Sequence, residues 1–303
     1  MAEVTSETES CTDVLIQEFQ PDKVGLNHEN PSDFVRSQWP TNQKIFLCYR
    51  VLIALFGIGW VIADIMYESQ KFYRERVWEY LVYATNWSFL LLGITTCFQA
   101  LCTAFYTIRS CGYLDRQTFS RMPPSLKVQW CLQNLSFNSS IVVTISYWSF
   151  LMYDHSDLLQ TDMSHVKHTL NTVYVIFDVM VTAVPFRILH MIMTIMLGSS
   201  YSLFNALYFL NNGKILDGRH YAYQVLKWTH PSEAIVTCVL CLFLAILSQL
   251  ILYGLYKLRH WIFSKIYFQD GNGRSDGEMQ SIITDDAPKY MTIDESQEYV
   301  NDK

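Results

Sequence analysis

The chain has 303 residues and a formal net charge of −6; half of its residues are hydrophobic, 15% are aromatic and 17% are charged, against about 25% charged in a typical soluble domain. The charges crowd into the two ends and a few short loops, the pattern of a chain whose solvent changes along its length, and this excludes an ordinary soluble domain. No basic stretch with interleaved aromatics occurs, so nucleic acid is excluded as a partner.

Residues 1–44 make an acidic opening segment that includes Glu3, Glu7 and Glu9. It has no basic stretch followed by an apolar run, so it does not read as a cleavable signal, and the first apolar helix is expected to act as the targeting signal. Six apolar segments follow, at 45–66, 79–106, 128–152, 166–185, 188–209 and 232–256. Each approaches the roughly 20 residues that a helix needs to cross the hydrocarbon of a bilayer. The third is diluted by Gln133, Asn134 and Asn138, and the fourth and fifth share a short turn around Pro185 and Arg187. The fold class expected is an all-α integral membrane protein, a bundle of six transmembrane helices with disordered acidic N- and C-terminal ends. The membrane domain covers 45–268, between a cytosolic segment at 1–44 and a disordered cytosolic tail at 269–303. Within that tail, Tyr290-Met291-Thr292-Ile293 fits the tyrosine-x-x-bulky pattern of endocytic signals.

Orientation follows from basic residues near the spans. With both ends cytosolic, the inner side carries ten: Arg36, Lys44, Arg109, Arg116, Arg121, Lys127, Arg187, Lys257, Arg259 and Lys265. The outer side carries six, and its loop with Asp154, Asp157 and Asp162 is of the outside type. Six of the eight cysteines lie in or beside apolar segments and read as small packing residues, whereas Cys111 lies in a loop where acylation is conceivable. The Asn-x-Ser triplets at Asn86, Asn134 and Asn138 fall inside spans and are discounted as glycosylation sites.

Two spans carry polar stripes. Thr85, Ser88, Thr95, Thr96, Gln99 and Thr103 share one face of the second, and His168, Asn171, Asp178 and Thr182 one face of the fourth. Such stripes face protein rather than lipid, either as interhelical bonds or as a site. In the proposed orientation Thr85 and His168 both fall in the outer half of the bundle. A histidine beside a threonine hydroxyl is the minimum for an activated nucleophile. Asp178 is ten residues from His168, about 15 Å along a helix, so His165, Asn171 or an acid of the preceding loop would orient the ring. A rival reading makes His165 and His168 metal ligands, completed by Asp157 or Asp162, although no compact ligand motif is present. No cofactor is expected.

Several segments carry a family resemblance over about 34–265: Ser37-Gln38-Trp39, Tyr49-Arg50-Val51, Thr85-Asn86-Trp87-Ser88-Phe89, Asn212-Gly213 and Trp228-Thr229-His230-Pro231. The chain resembles the rolling stone family of multi-span membrane proteins, named for an insect protein associated with myoblast fusion. The resemblance implies a role at the cell surface in adhesion or membrane fusion, with membrane lipids and cell-surface proteins as partners; between plasma membrane and endoplasmic reticulum, it is the tyrosine signal at Tyr290 that leans toward the plasma membrane. That family is in turn distantly similar to the androgen-induced membrane hydrolases, which cleave fatty acid esters of hydroxy fatty acids with a threonine and a histidine. Ser164-His165-Val166-Lys167-His168-Thr169 resembles their Asn-His-x-x-His-Thr stretch and puts the histidine at His168. Their Trp-Lys-Tyr-Leu-Thr becomes Trp78-Glu79-Tyr80-Leu81-Val82, with Thr85 one turn later. Either the register shifts by a turn or this branch has lost the nucleophile. The alternative function is therefore an intramembrane threonine hydrolase of lipid esters, with Thr85 and His168 catalytic and Asn86, Asn171 and His165 supporting.

Overall fold

The computed structural model describes residues 16–110, 121–153 and 158–268. Six helices of 20 residues or more run through these residues: α1 Gln43–Glu68, α2 Ala84–Arg109, α3 Pro124–Ser149, α4 Asp162–Val181, α5 Met191–Leu210 and α6 Pro231–Phe268. Local chemistry explains their starts. The Asn42 side chain accepts from the Lys44 N–H at the head of α1, and Thr161 does the same for Ser164 at the head of α4. Proline opens α3 and α6, where its missing N–H is no loss.

Four segments are long and apolar enough to cross a membrane on length and composition: Gln43–Tyr73, Ala84–Arg109, Ile188–Leu210 and Pro231–Tyr267. Helices α3 and α4, the third and fourth of the six expected spans, are long enough but too polar on average. Their polarity has a destination. Gln129, Gln133, Asn134, Ser136, Asn138 and Ser140 of α3 are all buried against protein, as are Lys167, His168 and Asp178 of α4. Val173, Ile176 and Phe177 of α4 point outward, as do Leu55, Phe56 and Ile62 of α1 and Val239, Leu240 and Phe243 of α6. The molecule is apolar outside and polar inside, the arrangement suited to a lipid solvent.

Packing order places α2 against α1 and α3, and α3 against α4, α5 and α6. α1 and α2 approach closely at two glycines: a Cβ on Gly57 would come within 3.0 Å of Thr96 Oγ1, and one on Gly93 within 3.0 Å of Val61 Cγ2. A polar seam joins α3 to α6. Asn138 Nδ2 donates to Gln249 Oε1 at 2.8 Å, and Gln249 Nε2 donates to Asn134 Oδ1 at 2.9 Å.

The expectation of a disordered N-terminal segment is corrected from residue 16 onward. Phe34 and Val35 are fully buried and pack with Trp130, Leu126 and Val184. Gln129 Nε2 donates to the Phe34 carbonyl, Ser37 Oγ to that of Val181 and Trp39 Nε1 to that of Met180. The segment thus ties off the C-terminus of α4, where the buried Arg259 guanidinium also donates to the carbonyl of Val179 in the last turn and to those of Thr182, Ala183 and Val184 just beyond it. A helix C-terminus favours such a cation, and orphan carbonyls need donors. Residues 1–15 and 269–303, with Cys111, Asp154, Asp157 and the Tyr290 motif, lie outside the described residues.

Candidate functional site

The end of the bundle where α1 turns into α2 holds the expected site residues, and it is built around ions. Asp64 and Glu68 occupy successive turns near the end of α1, Asn86 the first turn of α2, and Lys167 the second turn of α4. Lys167 Nζ donates to Asp64 Oδ2 at 2.7 Å, Glu68 Oε1 at 2.9 Å and Asn86 Oδ1 at 2.5 Å. All three ammonium protons are thereby used, and the four side chains are buried. The carboxylates are satisfied from the other side: Tyr80 donates to Asp64 Oδ2 at 2.8 Å, Tyr73 to Glu68 Oε2 at 2.9 Å, and Asn86 Nδ2 to the same Glu68 oxygen at 3.3 Å. Burial of charge is tolerated only with this degree of pairing.

A second ion pair lies toward the opposite end. Arg50 Nη1 of α1 donates to Asp178 Oδ1 of α4 at 2.7 Å and to Gln99 Oε1 of α2 at 2.9 Å, and Tyr49 donates to the same Asp178 oxygen at 2.7 Å. The two clusters clamp the same three helices, one near each end.

Thr85 and His168 are both buried, yet they serve different neighbourhoods. Thr85 faces a cavity bounded by α2, α3, α5 and α6. Its Oγ1 accepts a long bond, 3.4 Å, from the Tyr223 hydroxyl. Burial pushes the Tyr223 phenol up to about 12, so it stays a neutral donor at ordinary pH and cannot take the threonine proton. His168 stacks on Tyr147 with ring centroids 3.9 Å apart, its Nδ1 2.7 Å from the Ser164 carbonyl oxygen. That contact fixes Nδ1 as the protonated nitrogen and leaves Nε2 as the lone-pair side, buried and without a partner among the described residues. Among the described residues no hydrogen bond joins Thr85 to His168.

The supporting residues are dispersed likewise. Asn86 belongs to the lysine cluster. His165 Nδ1 sits 3.0 Å from the Tyr147 hydroxyl. Asn171 lines a separate groove of about 300 Å³ between α1, α2 and α4, beside Phe56, Trp60 and Tyr174. For the metal reading, no group of three or more His, Cys, Asp or Glu side chains suited to a metal occurs among the described residues, and Asp157 lies outside them.

Sequence reasoning passed over Asp64, Glu68, Lys167 and Arg50. The signal was available, since an ionisable residue within an apolar span points to a partner by default. Asp64 and Arg50 lie within the run 45–66.

Comparison with known proteins agrees with the resemblance. The family described as Protein rolling stone matches residues 8–270 of the chain. Protein rolling stone of Drosophila melanogaster is 31% identical over 253 residues, covering 80% of this chain and 89% of that protein. No solved structure matches. A match over most of the length, joined to a membrane-type helical bundle, makes this chain a member of the rolling stone family.

Proposed function

We propose that the chain is a six-span membrane protein with both ends in the cytosol, acting at the cell surface in adhesion or membrane fusion. The observation that carries the surface role is the construction of the α1–α2 end. Residues of three connections, 69–83, 150–153 with 158–161, and 211–230, meet there over one aromatic core that includes Tyr73, Tyr83, Tyr147, Leu159, Ile215 and Tyr223. The first and last of these connections are also cross-linked by polar contacts. Arg76 Nη2 donates to the Lys214 carbonyl at 2.5 Å, and the Leu216 N–H donates to Glu79 Oε2 at 3.0 Å. Trp78, Leu81, Leu216 and Tyr153 are exposed at this end. A rigid cap bearing apolar and aromatic groups suits a surface that meets a partner protein or membrane. Positive-inside counting supports an outward orientation for it.

Six spans, rather than four, are supported by the burial of Gln129, Gln133, Asn134 and Asn138 of α3 and by the pairing of the two buried charges of α4, Lys167 with Asp64 and Glu68 and Asp178 with Arg50. Membrane lipids would then contact all six helices. The hydrolase reading has weaker support, because Thr85 and His168 each satisfy a different partner. A cell-mixing assay tests the leading reading. Cells expressing the chain should adhere to or fuse with one another above mock-transfected cells, and Trp78→Ala with Leu216→Ser should reduce this at equal surface amount. Equal mixing with and without the chain at the plasma membrane defeats it.

A further inference from the structure

The cavity beside Thr85 is the feature left without an explanation. It measures about 140 Å³, and its wall comes from α2, α3, α5, α6 and the stretch around Tyr223–Leu226. Among the described residues no charged side chain lines it. Most of its hydroxyls are committed: Ser139 donates to the Leu135 carbonyl, Ser202 to that of Gly198, and Thr237 to those of Val225 and Glu233. Two are less so: among the described residues Thr194 Oγ1 on α5 is buried with no hydrogen-bond partner, and Ser146 Oγ on α3 is buried with only the weak thiol of Cys241 for one.

A buried hydroxyl without a partner is destabilising, whereas a valine or alanine in its place would not be. Thr194 does not even make the bond to its own helix that serines and threonines of apolar helices usually make. An acceptor from outside the protein supplies the missing partner. Because the wall lacks charge, a phosphate or carboxylate head would enter without a counter-ion, which burial opposes. Because the enclosing helices include three apolar enough to cross a membrane, the ligand arrives from lipid. The volume resembles that of an engineered cavity which takes one benzene, room for an ester-bearing head and its first carbons but not for whole chains.

We propose that this cavity binds the uncharged head of an acylglycerol lipid, its ester carbonyl oxygens accepting from Thr194 and Ser146 while the acyl chains leave toward the bilayer. This is independent of the surface role and requires no attack by Thr85.

The test uses the full chain in phosphatidylcholine nanodiscs containing a photoactivatable, alkyne-tagged diacylglycerol. The expected result is labelling of peptides from α3 and α5 that unlabelled diacylglycerol competes away, with equally tagged phosphatidic acid labelling them weakly. Thr194→Val and Ser146→Ala should each lower labelling about fivefold, the loss expected for one hydrogen bond. The same variants should leave thermal unfolding of the lipid-free protein unchanged or raised, because an orphan hydroxyl has gone. Non-competable labelling, equal labelling by phosphatidic acid, or unchanged labelling of both variants overturns the proposal.

Discussion

Replacing Lys167 by methionine isolates the part played by buried charge. The substitution keeps the length and apolar stem but removes three hydrogen bonds, two of them to carboxylates. Asp64 and Glu68 are then left buried with no cation in contact, only phenol and amide donors. Hydrogen bonds to charged groups contribute about 1.5–3 kcal/mol each, and removing one partner of a buried ion pair costs about 3–5 kcal/mol. The second figure already contains the first, so about 3–5 kcal/mol is the expected loss. At about 2–4 °C per kcal/mol for a chain of this size, the midpoint should fall on the order of 10 °C. Intrinsic tryptophan fluorescence of the purified protein in detergent, followed during heating, would read it. Adding Asp64→Asn and Glu68→Gln to Lys167→Met removes the orphaned charges and should recover most of the loss. A single variant that melts within about 2 °C of the parent, or a triple variant no better than the single, would refute the reasoning.

Further outcomes follow from the same structure. Asp178→Asn should destabilise by a similar amount, because Arg50 stays buried without its carboxylate; the double variant with Arg50→Met should melt higher than Asp178→Asn alone. Gly213 follows Asn212, which has a φ of +55°, and a Cβ on Gly213 would fall 2.6 Å from the Tyr208 ring. Gly213→Ala should therefore cost about 1–3 kcal/mol by overpacking, readable as a lower midpoint that Tyr208→Ala partly relieves. Burial holds the His28 imidazole below its usual 6.5, against the opposing pull of Asp33. The folded state thus prefers the neutral ring, so its contribution is intact above pH 6.5 and is lost as pH falls from there through the lowered value. Melting midpoints should drop across that window, and His28→Gln should flatten the drop; an unchanged slope removes His28 as the cause. A lipophilic fluorophosphonate should leave Thr85 unlabelled in the folded protein. Labelling that disappears in Thr85→Ala but persists in Ser88→Ala would instead revive the hydrolase.

Much of the helical framework was legible because apolar runs and their interruptions are local facts. The polar stripe on α2 told which face turns inward, and all six of its residues are buried. On α4 the stripe was read correctly at His168, Asp178 and Thr182, while Asn171 reached a different groove. The meeting of Thr85 with His168 was inferred from depth alone. Depth along two helices leaves their rotation free, and here the rotation points one residue at Tyr223 and the other at Tyr147. The lysine cluster was hidden for a related reason. Lys167 sits between two histidines that drew attention to nucleophilic and metal chemistry, and its partners come from a helix some hundred positions earlier. The packing of residues 16–42 was illegible because a polar stretch docked through its backbone has no apolar period to read.

The placement of α3 and α4 across the membrane decides the account. With six spans, the connection between Tyr153 and Leu158 lies on the same side as residues 74–76 and 214–219, outside the cell. With only the four most apolar helices crossing, it lies on the cytosolic side with the two ends. An epitope inserted between Tyr153 and Leu158, stained on intact cells and again after permeabilisation, separates these directly. The account predicts staining of intact cells, matching an epitope placed near Asp217 and opposite to one at the C-terminus; staining only after permeabilisation, with the Asp217 epitope still reached from outside, would contradict it.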